Sequence, residues 1–303
     1  MTALKLFLVL SGNTETTLPK ILQDNGYNTW HVGKWHLGDN PESLPQSNGF
    51  DVNIGGCAWG HPKNGYFSPY NIPNLPNGPE DEYLTDRLTD EAITLLKQRT
   101  DKPFYLNLWY YTVHTPIQAK PEKIKKYEDK RVQLGLDKID DLEVGEYYPC
   151  EHMKKWRVKR RTVQSNPIYA AMVEHLDDNI GRLYNTLKEQ ELLDNTLIIF
   201  TSDNGGLATG SSPTSNKPLS EGKGWMYEGG VRVPLFVWWG AKLTSQTNNT
   251  IVNSTDYFNT ILSLLDIDHQ VDNDSFDFSN SLKGHTLNRP PVYWYYPHYG
   301  LSL

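Results

Sequence analysis

Four short polar clusters carry the residues with the clearest capacity for chemistry. The stretch HVGKWHLG, His31 to Gly38, places Lys34 and His36 two positions apart behind a glycine. A lysine beside an anion neutralises it, and a histidine exchanges protons near neutral pH. The stretch SDNGG, Ser202 to Gly206, sets the Asp203 carboxylate next to the Asn204 carboxamide. Oxygen donors of this kind suit a hard cation such as calcium or magnesium. His114 closes an apolar run just before Thr115 and Pro116, and Lys223 stands among glycines in EGKGWMYEGGVRVP, Glu221 to Pro234. Each residue has a plainer explanation: an Asp-Asn-Gly turn, a surface loop with His36 bonded to a carbonyl, a satisfied core histidine, a solvated lysine. His31 falls inside an apolar run and reads as structural. Glu228 and Arg232 read as an ion pair that shapes the glycine-rich loop.

Alternating helical and strand patterns must position these groups. TTLPKILQDNG puts Leu18, Ile21, Leu22 and Asn25 on one face and stops at Gly26, which predicts a helix. Tyr27 to Val32 follows as a strand. Leu84, Leu88, Ala92 and Leu95 have helical spacing, and so do Ile168, Met172, Leu176, Ile180, Leu183 and Leu187. Pro103 to Thr112, Thr196 to Ser202 and Val233 to Trp239 read as buried strands, and Phe258, Ile261, Leu262 and Leu265 as a further helix. Unbroken apolar strands between amphipathic helices predict an α/β protein with a parallel sheet covered on both faces. In such sheets the ligand crevice lies beyond the carboxyl ends of the strands. The GKWH, VHTP and SDNGG clusters all follow strands and are therefore expected to converge on one crevice.

The bulk numbers exclude some functions. The 303 residues carry a formal net charge of −7, which argues against nucleic acid as a partner. The basic run KKWRVKRR, Lys154 to Arg161, reads as a solvated helix face, and the pairs Asp140–Asp141 and Asp177–Asp178 as helical surface residues. The two cysteines, Cys57 and Cys150, have no zinc-site or disulfide-framework spacing; free thiols and a single bridge both remain open. No apolar run reaches the roughly 18 residues that span a membrane. The start, MTALKLFLVLSG, reads either as a buried first strand or as the stub of a secretion signal without its basic region. Gly60 to Leu84 is a long loop rich in Pro, Gly, Asn and Tyr, of a kind that shapes a binding subsite.

Taken in order, the clusters resemble a known family. GYNTWHVGKWHLG is similar to a signature of the formylglycine-dependent sulfatases. FYLNLWYYTVHTP, YAAMVEHLDDNIGRLYNTLKEQELLDNTLIIFTSDNGG and GKGWMYEGGVRVPLFVWWG resemble later landmarks of the same family, in the family's order. The resemblance implies an α/β, alkaline-phosphatase-like three-layer sandwich with a mostly parallel central sheet. It implies hydrolysis of sulfate esters, here on a sulfated carbohydrate, by a formylglycine hydrated to a diol whose oxygen attacks sulfur. Asp203 and Asn204 would then be ligands of a calcium or magnesium ion. Lys34 and Lys223 would hold sulfate oxygens, His36 would assist the diol, and His114 would contact the sulfate and protonate the leaving oxygen. His298, in YWYYPHYG, would belong to the sugar pocket. Family members are commonly periplasmic or secreted.

The chain departs from the family pattern at its ends. The family supplies two consecutive aspartates and a Cys/Ser-x-Pro/Ala-x-Arg motif ahead of GKWHLG, and this sequence has neither there. Cys57, in GGCAWGH, lacks the proline and arginine of a formylglycine precursor. The expected organisation is a partial sulfatase-like α/β domain over residues 1–290, incomplete at its first strand unless Leu4 to Leu10 replaces it. Residues 291–303 would begin a truncated carboxyl-terminal sheet subdomain. The chain as written is expected to be catalytically impaired and to hold its metal weakly. An inactive binder of sulfated glycans and a fragment of an active sulfatase are the alternatives.

Overall fold

The computed structural model describes residues 15–210, 213–296 and 301–302. Leu4 to Leu10 and His298 lie outside the described residues. The chain divides into two compact units. The first takes Met1–Lys120, Met172–Leu193 and Tyr257–Asp277; the second takes Pro121–Ala171, Asp194–Asp256 and Phe278–Leu303.

The first unit is built on a parallel sheet. Helix α1 (Leu18–Asp24) starts at Thr17, whose hydroxyl accepts the Lys20 amide proton at 3.3 Å, an ordinary N-cap. It ends at Asn25, and Gly26 turns the chain at φ 85° into β1 (Asn28–Gly33). Strand β1 is the central strand, with β2 (Val52–Ile54) on one side and β3 (Phe104–Trp109) on the other, both parallel to it. Its residues from Thr29 to Gly33 are all buried, as a strand covered on both faces must be. Trp30 stacks on Phe104 with ring centroids 5.5 Å apart.

Helix α2 (Leu84–Gln98) packs on β1 and β3 through Leu84, Leu88, Ala92 and Leu96, all fully buried at four-residue spacing. The face thus runs through Leu96 where the sequence had suggested Leu95. Burying each of these leucines contributes about 2 kcal/mol. A polar knot then ties α2 to the carboxyl-terminal part of α4 (Pro167–Glu189). The Asp86 carboxylate accepts from Lys120 Nζ at 2.7 Å, Asn179 Nδ2 at 2.7 Å and His175 Nε2 at 3.3 Å. Burial raises the Asp86 pKa, but these donors outweigh it and hold the carboxyl far below the usual carboxylate range. Helix α6 (Tyr257–Leu264), predicted from its apolar spacing, buries Thr260, Ile261 and Leu262.

The second unit carries helix α3 (Pro121–Gln133) with no buried residue, and two antiparallel ladders. One pairs β4 (Leu142–Tyr147) with β5 (Arg157–Arg161). The basic run is therefore partly a strand, which corrects the expected helix face. Its Val158 is buried in a cluster with Tyr148, Cys150 and Trp225, and its Arg160 lies opposite Glu143 in register. Arg160 also reaches Glu146 and Glu221 at 2.7 and 2.6 Å. Arg160 thus meets three carboxylates, Glu143, Glu146 and Glu221, while Leu142, Val144 and Tyr147 stand opposite Arg161, Lys159 and Arg157. The pair Asp140–Asp141 is likewise not helical: it leads into β4, and Asp141 binds Arg161 and Ser165. Asp177 and Asp178 lie on α4 as expected.

The other ladder pairs β6 (Ile198–Thr201) with β7 (Leu235–Trp238) in antiparallel register. Neither strand is buried as its apolar sequence suggests: Phe236 is 65% exposed and Phe200 36%. Among the described residues each has one ladder partner, and an apolar run by itself does not count partners. Short α5 (Glu228–Val231), with the exposed Glu228–Arg232 pair at 3.1 Å, precedes β7, and β8 (Tyr295–Tyr296) pairs with β9 (Leu301–Ser302). Cys57 and Cys150 are both buried free thiols, in different units. Among the described residues no helix is long and apolar enough to cross a membrane.

Candidate functional site

The first unit presents Lys34 and His36 at the carboxyl end of β1. Gly33 bends the chain there at φ 106°; a β-carbon at that position would stand 2.1 Å from the Trp109 carbonyl oxygen, so only glycine fits. The Lys34 amide donates to that same oxygen at 2.7 Å. Trp35 then turns inward, stacks on Trp109 at 5.7 Å and donates from Nε1 to the Ser43 carbonyl at 2.6 Å. With Trp35 buried as the anchor, Lys34 is half-buried and His36 exposed. The His36 backbone is left-handed, φ 63°, and its amide donates to the Cys57 carbonyl at 3.0 Å. A non-glycine residue in this region costs about 1 kcal/mol, which the surrounding packing must sustain.

His31 is structural, as its place in the strand suggested. It is fully buried, with Nε2 3.2 Å from the Gly33 carbonyl oxygen and the rings of Trp35, Phe50 and Trp109 edge-on around it. Burial pulls its pKa down to about 4, against hydrogen bonds to the backbone at Gly33 and Lys34 that work the other way.

His114 follows β3 on a turn closed by its amide and the Tyr111 carbonyl at 2.8 Å. Its Nδ1 lies 2.8 Å from the Thr115 carbonyl oxygen, an acceptor only, so Nδ1 carries a proton and Nε2 is the nitrogen that exchanges one. Tyr66, fully buried, places its hydroxyl between the carbonyls of Tyr111 and His114. The rings of His36 and His114 both meet the segment Cys57–Lys63. Gly60 packs against His36, and the ring of His61 lies 6.0 Å from that of His114. Gly60, His61 and Tyr66 were not singled out from the sequence. The Gly60–Leu84 loop as a whole reads from the sequence as one that shapes a subsite, and the packing picks out these three residues within it.

The second unit gathers Asp203, Asn204 and Lys223. They sit on two glycine-rich loops laced together by backbone bonds: Gly205 N to Gly230 O at 2.9 Å and Lys223 N to Gly206 O at 3.1 Å. Asn216 completes the lacing, bonding Gly206 through both its side-chain atoms and the Glu221 carbonyl through Nδ2. A β-carbon at Gly205 would stand 1.7 Å from the Gly229 carbonyl oxygen, so the glycines permit this approach. The Asn204 carboxamide donates from Nδ2 to the Gly205 carbonyl at 3.0 Å, which turns that nitrogen toward the backbone.

Lys34, His36 and His114 thus belong to the first unit, and Asp203, Asn204 and Lys223 to the second. The donor set does not by itself fit a calcium site. Such an ion takes roughly six to eight oxygens, and among the described residues no group of three or more His, Cys, Asp or Glu side chains could hold a metal. Asp203 and Asn204 supply two donors.

The family model described as Sulfatase matches residues 2–267. The chain is 31% identical over 279 residues to the uncharacterized sulfatase YdeN of Escherichia coli K12, covering 84% of this chain and 44% of that one. It is 28% identical over 312 residues to the N-acetylgalactosamine-6-sulfatase of Sus scrofa, covering 93% and 51%. Among solved structures it matches Ps i-CgsB, in complex with k-i-k-neocarrahexaose, at a TM-score of 0.63 and 29% identity, covering 84% of this chain and 54% of that one. The chain spans about half the length of these curated relatives. The fold is the α/β, alkaline-phosphatase-like one implied by the sequence motifs.

Proposed function

The chain belongs to the sulfatase family, and from that footing we propose that it carries the anion-handling residues of a sulfate-ester hydrolase acting on sulfated carbohydrate. The observation that supports this most is the pairing of two imidazoles on one segment, with Gly60 against His36 and His61 against His114, at the ends of neighbouring parallel strands. Lys34, on the same strand end as His36, offers a charge for sulfate oxygens. A sulfuryl group spreads negative charge over its oxygens as the ester bond breaks, and fixed cations lower the energy of that state. The leaving sugar oxygen needs a proton. His114 supplies it from Nε2 when doubly protonated, while the Thr115 carbonyl holds the Nδ1 proton in place.

Two groups of the family's chemistry are not completed by these residues. The formylglycine would supply the nucleophile, and the 303 residues contain no Cys or Ser in its motif. Asp203 and Asn204 are the residues that would hold a calcium or magnesium ion, and they are too few to do so alone. We propose that the residues present here bind and orient the sulfated sugar.

Calorimetric titration with N-acetylgalactosamine 6-sulfate and with the unsulfated sugar tests the reading. Binding should require the sulfate and weaken about tenfold or more in Lys34→Ala, the loss of one charge-assisted contact. Equal binding of both sugars, or of neither, overturns it.

A further inference from the structure

The segment Cys57–Lys63 enters the reading above only as the backing of the two imidazoles on which that reading leans. A first side-chain carbon at Gly60 would stand 2.4 Å from Cε1 and 2.6 Å from Nε2 of His36, so the His36 ring lies flush on the Gly60 backbone. The next residue, His61, sets its ring nearly parallel to that of His114, with 17° between the planes and 6.0 Å between centroids. Two residues on, the Lys63 ammonium sits 4.6 Å from the centroid of the Trp59 ring.

This segment is held rather than loose. Pro62 is buried and its carbonyl accepts the Gly65 amide at 2.9 Å. The Asn64 side chain donates to the Tyr70 carbonyl at 3.1 Å, and Gln118 Oε1 accepts the Tyr66 amide at 2.7 Å. Between these fixed points His61 is exposed, whereas His114 is half-buried. The His61 ring is thus the more exposed of the two neighbouring imidazoles and is open to a ligand that reaches His114.

We propose that His61 is a substrate-binding residue, contacting a hydroxyl of the leaving sugar next to the sulfate ester held at His114. The proposal rests on the sulfate-ester reading above. With 6.0 Å between their centroids, the two rings are close enough for one sugar to meet both. An imidazole both donates and accepts, so it matches a hydroxyl in either sense. His61 would then discriminate among sugars by which hydroxyl they present, since a site built to bond a hydroxyl rejects an analogue that lacks it. Trp59 and Lys63 extend the same face with an aromatic ring and a cation.

Histidine ring NMR on the 303-residue protein tests this, with resonances assigned through His36→Gln, His61→Gln and His114→Gln. The probes are inorganic sulfate, N-acetylgalactosamine 6-sulfate and unsulfated N-acetylgalactosamine. Sulfate alone should move the His36 and His114 signals, and the sulfated sugar should move His61 as well. In calorimetry, His61→Phe keeps a ring beside His114 but removes the nitrogens. It should weaken the sulfated sugar about tenfold while changing inorganic sulfate affinity by less than about twofold. If the sulfated sugar moves His36 and His114 but not His61, or if His61→Phe binds it as the parent does, the inference falls and the sulfate-ester reading stands. If no probe moves any of the three signals, both fall.

Discussion

The phenol oxygen of Tyr66 stands 2.9 Å from the carbonyl oxygen of His114 and 2.7 Å from that of Tyr111. Burial pushes this phenol well above its ordinary pKa, so it stays protonated and acts as a donor to both carbonyls. The turn that carries His114 is thereby pinned from a loop 48 residues earlier in the chain. Tyr66→Phe keeps the ring packing against Tyr83 and deletes only the donor. It leaves two carbonyl oxygens in a buried place with one partner fewer, at a cost of about 1–2 kcal/mol. Urea denaturation should show that loss, and the His114 ring signal should shift without any ligand present. An unmoved His114 signal would mean the turn is held by its own bonds alone.

Asp86 is the second point at which stability is concentrated. It satisfies Lys120, His175 and Asn179 at once. Asp86→Asn leaves buried donors facing a neutral, partly donating group and should destabilise the fold by about 2–3 kcal/mol at neutral pH. Because its folded pKa is depressed, the carboxylate contributes fully above the unfolded value of roughly 4, and that contribution drains away as pH falls below it. The difference between parent and variant should therefore shrink toward pH 2. Asp24→Asn, which breaks the exposed Lys20–Asp24 pair, should change stability by less than about 0.5 kcal/mol.

His31 gives a different pH window. Its folded pKa of about 4 lies below an unfolded value near 6.5. Unfolding then takes up a proton anywhere between the two, so stability falls as pH drops from about 6.5 to 4, by about 3 kcal/mol in all. His31→Phe removes the proton and keeps an aromatic ring among Trp35, Phe50 and Trp109. Its baseline stability will differ through repacking, so the informative readout is the slope. The denaturation midpoint of the variant should vary less with pH across that window, and an unchanged slope would place the proton uptake elsewhere.

Periodicity and motif order made the first unit legible. The Leu18–Leu22 face, the Leu84–Ala92 face and the strand ending at Val32 follow from local patterning, since each element buries one continuous face. Lys34, His36 and His114 were visible as polar residues at strand ends, and the sheet does place them at the ends of β1 and β3. What local pattern could not show is pairing. The run around Val158 is rich in charge, which suits a solvated helix equally well; only the acidic partner strand, with Glu143 opposite Arg160, decides for β5. The apolar letters of β7 likewise implied burial, but Phe236 is largely exposed because a strand's cover is set by its neighbours. His61 stayed hidden for the same reason: its meaning is its distance to His114, across the sequence gap from 61 to 114.

Glycines separate positions that shape the candidate site from those that do not. At Gly205 a methyl group would overlap the Gly229 carbonyl, so the loops bearing Asp203 and Lys223 would have to part. Overpacking of this kind costs about 1–3 kcal/mol, and here it also breaks the Gly205–Gly230 backbone bond. Gly181 lies in the interior of α4, where a methyl group would meet nothing within 4 Å. Gly181→Ala should therefore stabilise the protein by about 0.5–1 kcal/mol, through the helix propensity that glycine lacks. Gly205→Ala should destabilise it. Parallel urea denaturation of the two variants checks both halves, and a Gly205→Ala protein as stable as the parent would show that the laced loops accommodate the methyl group.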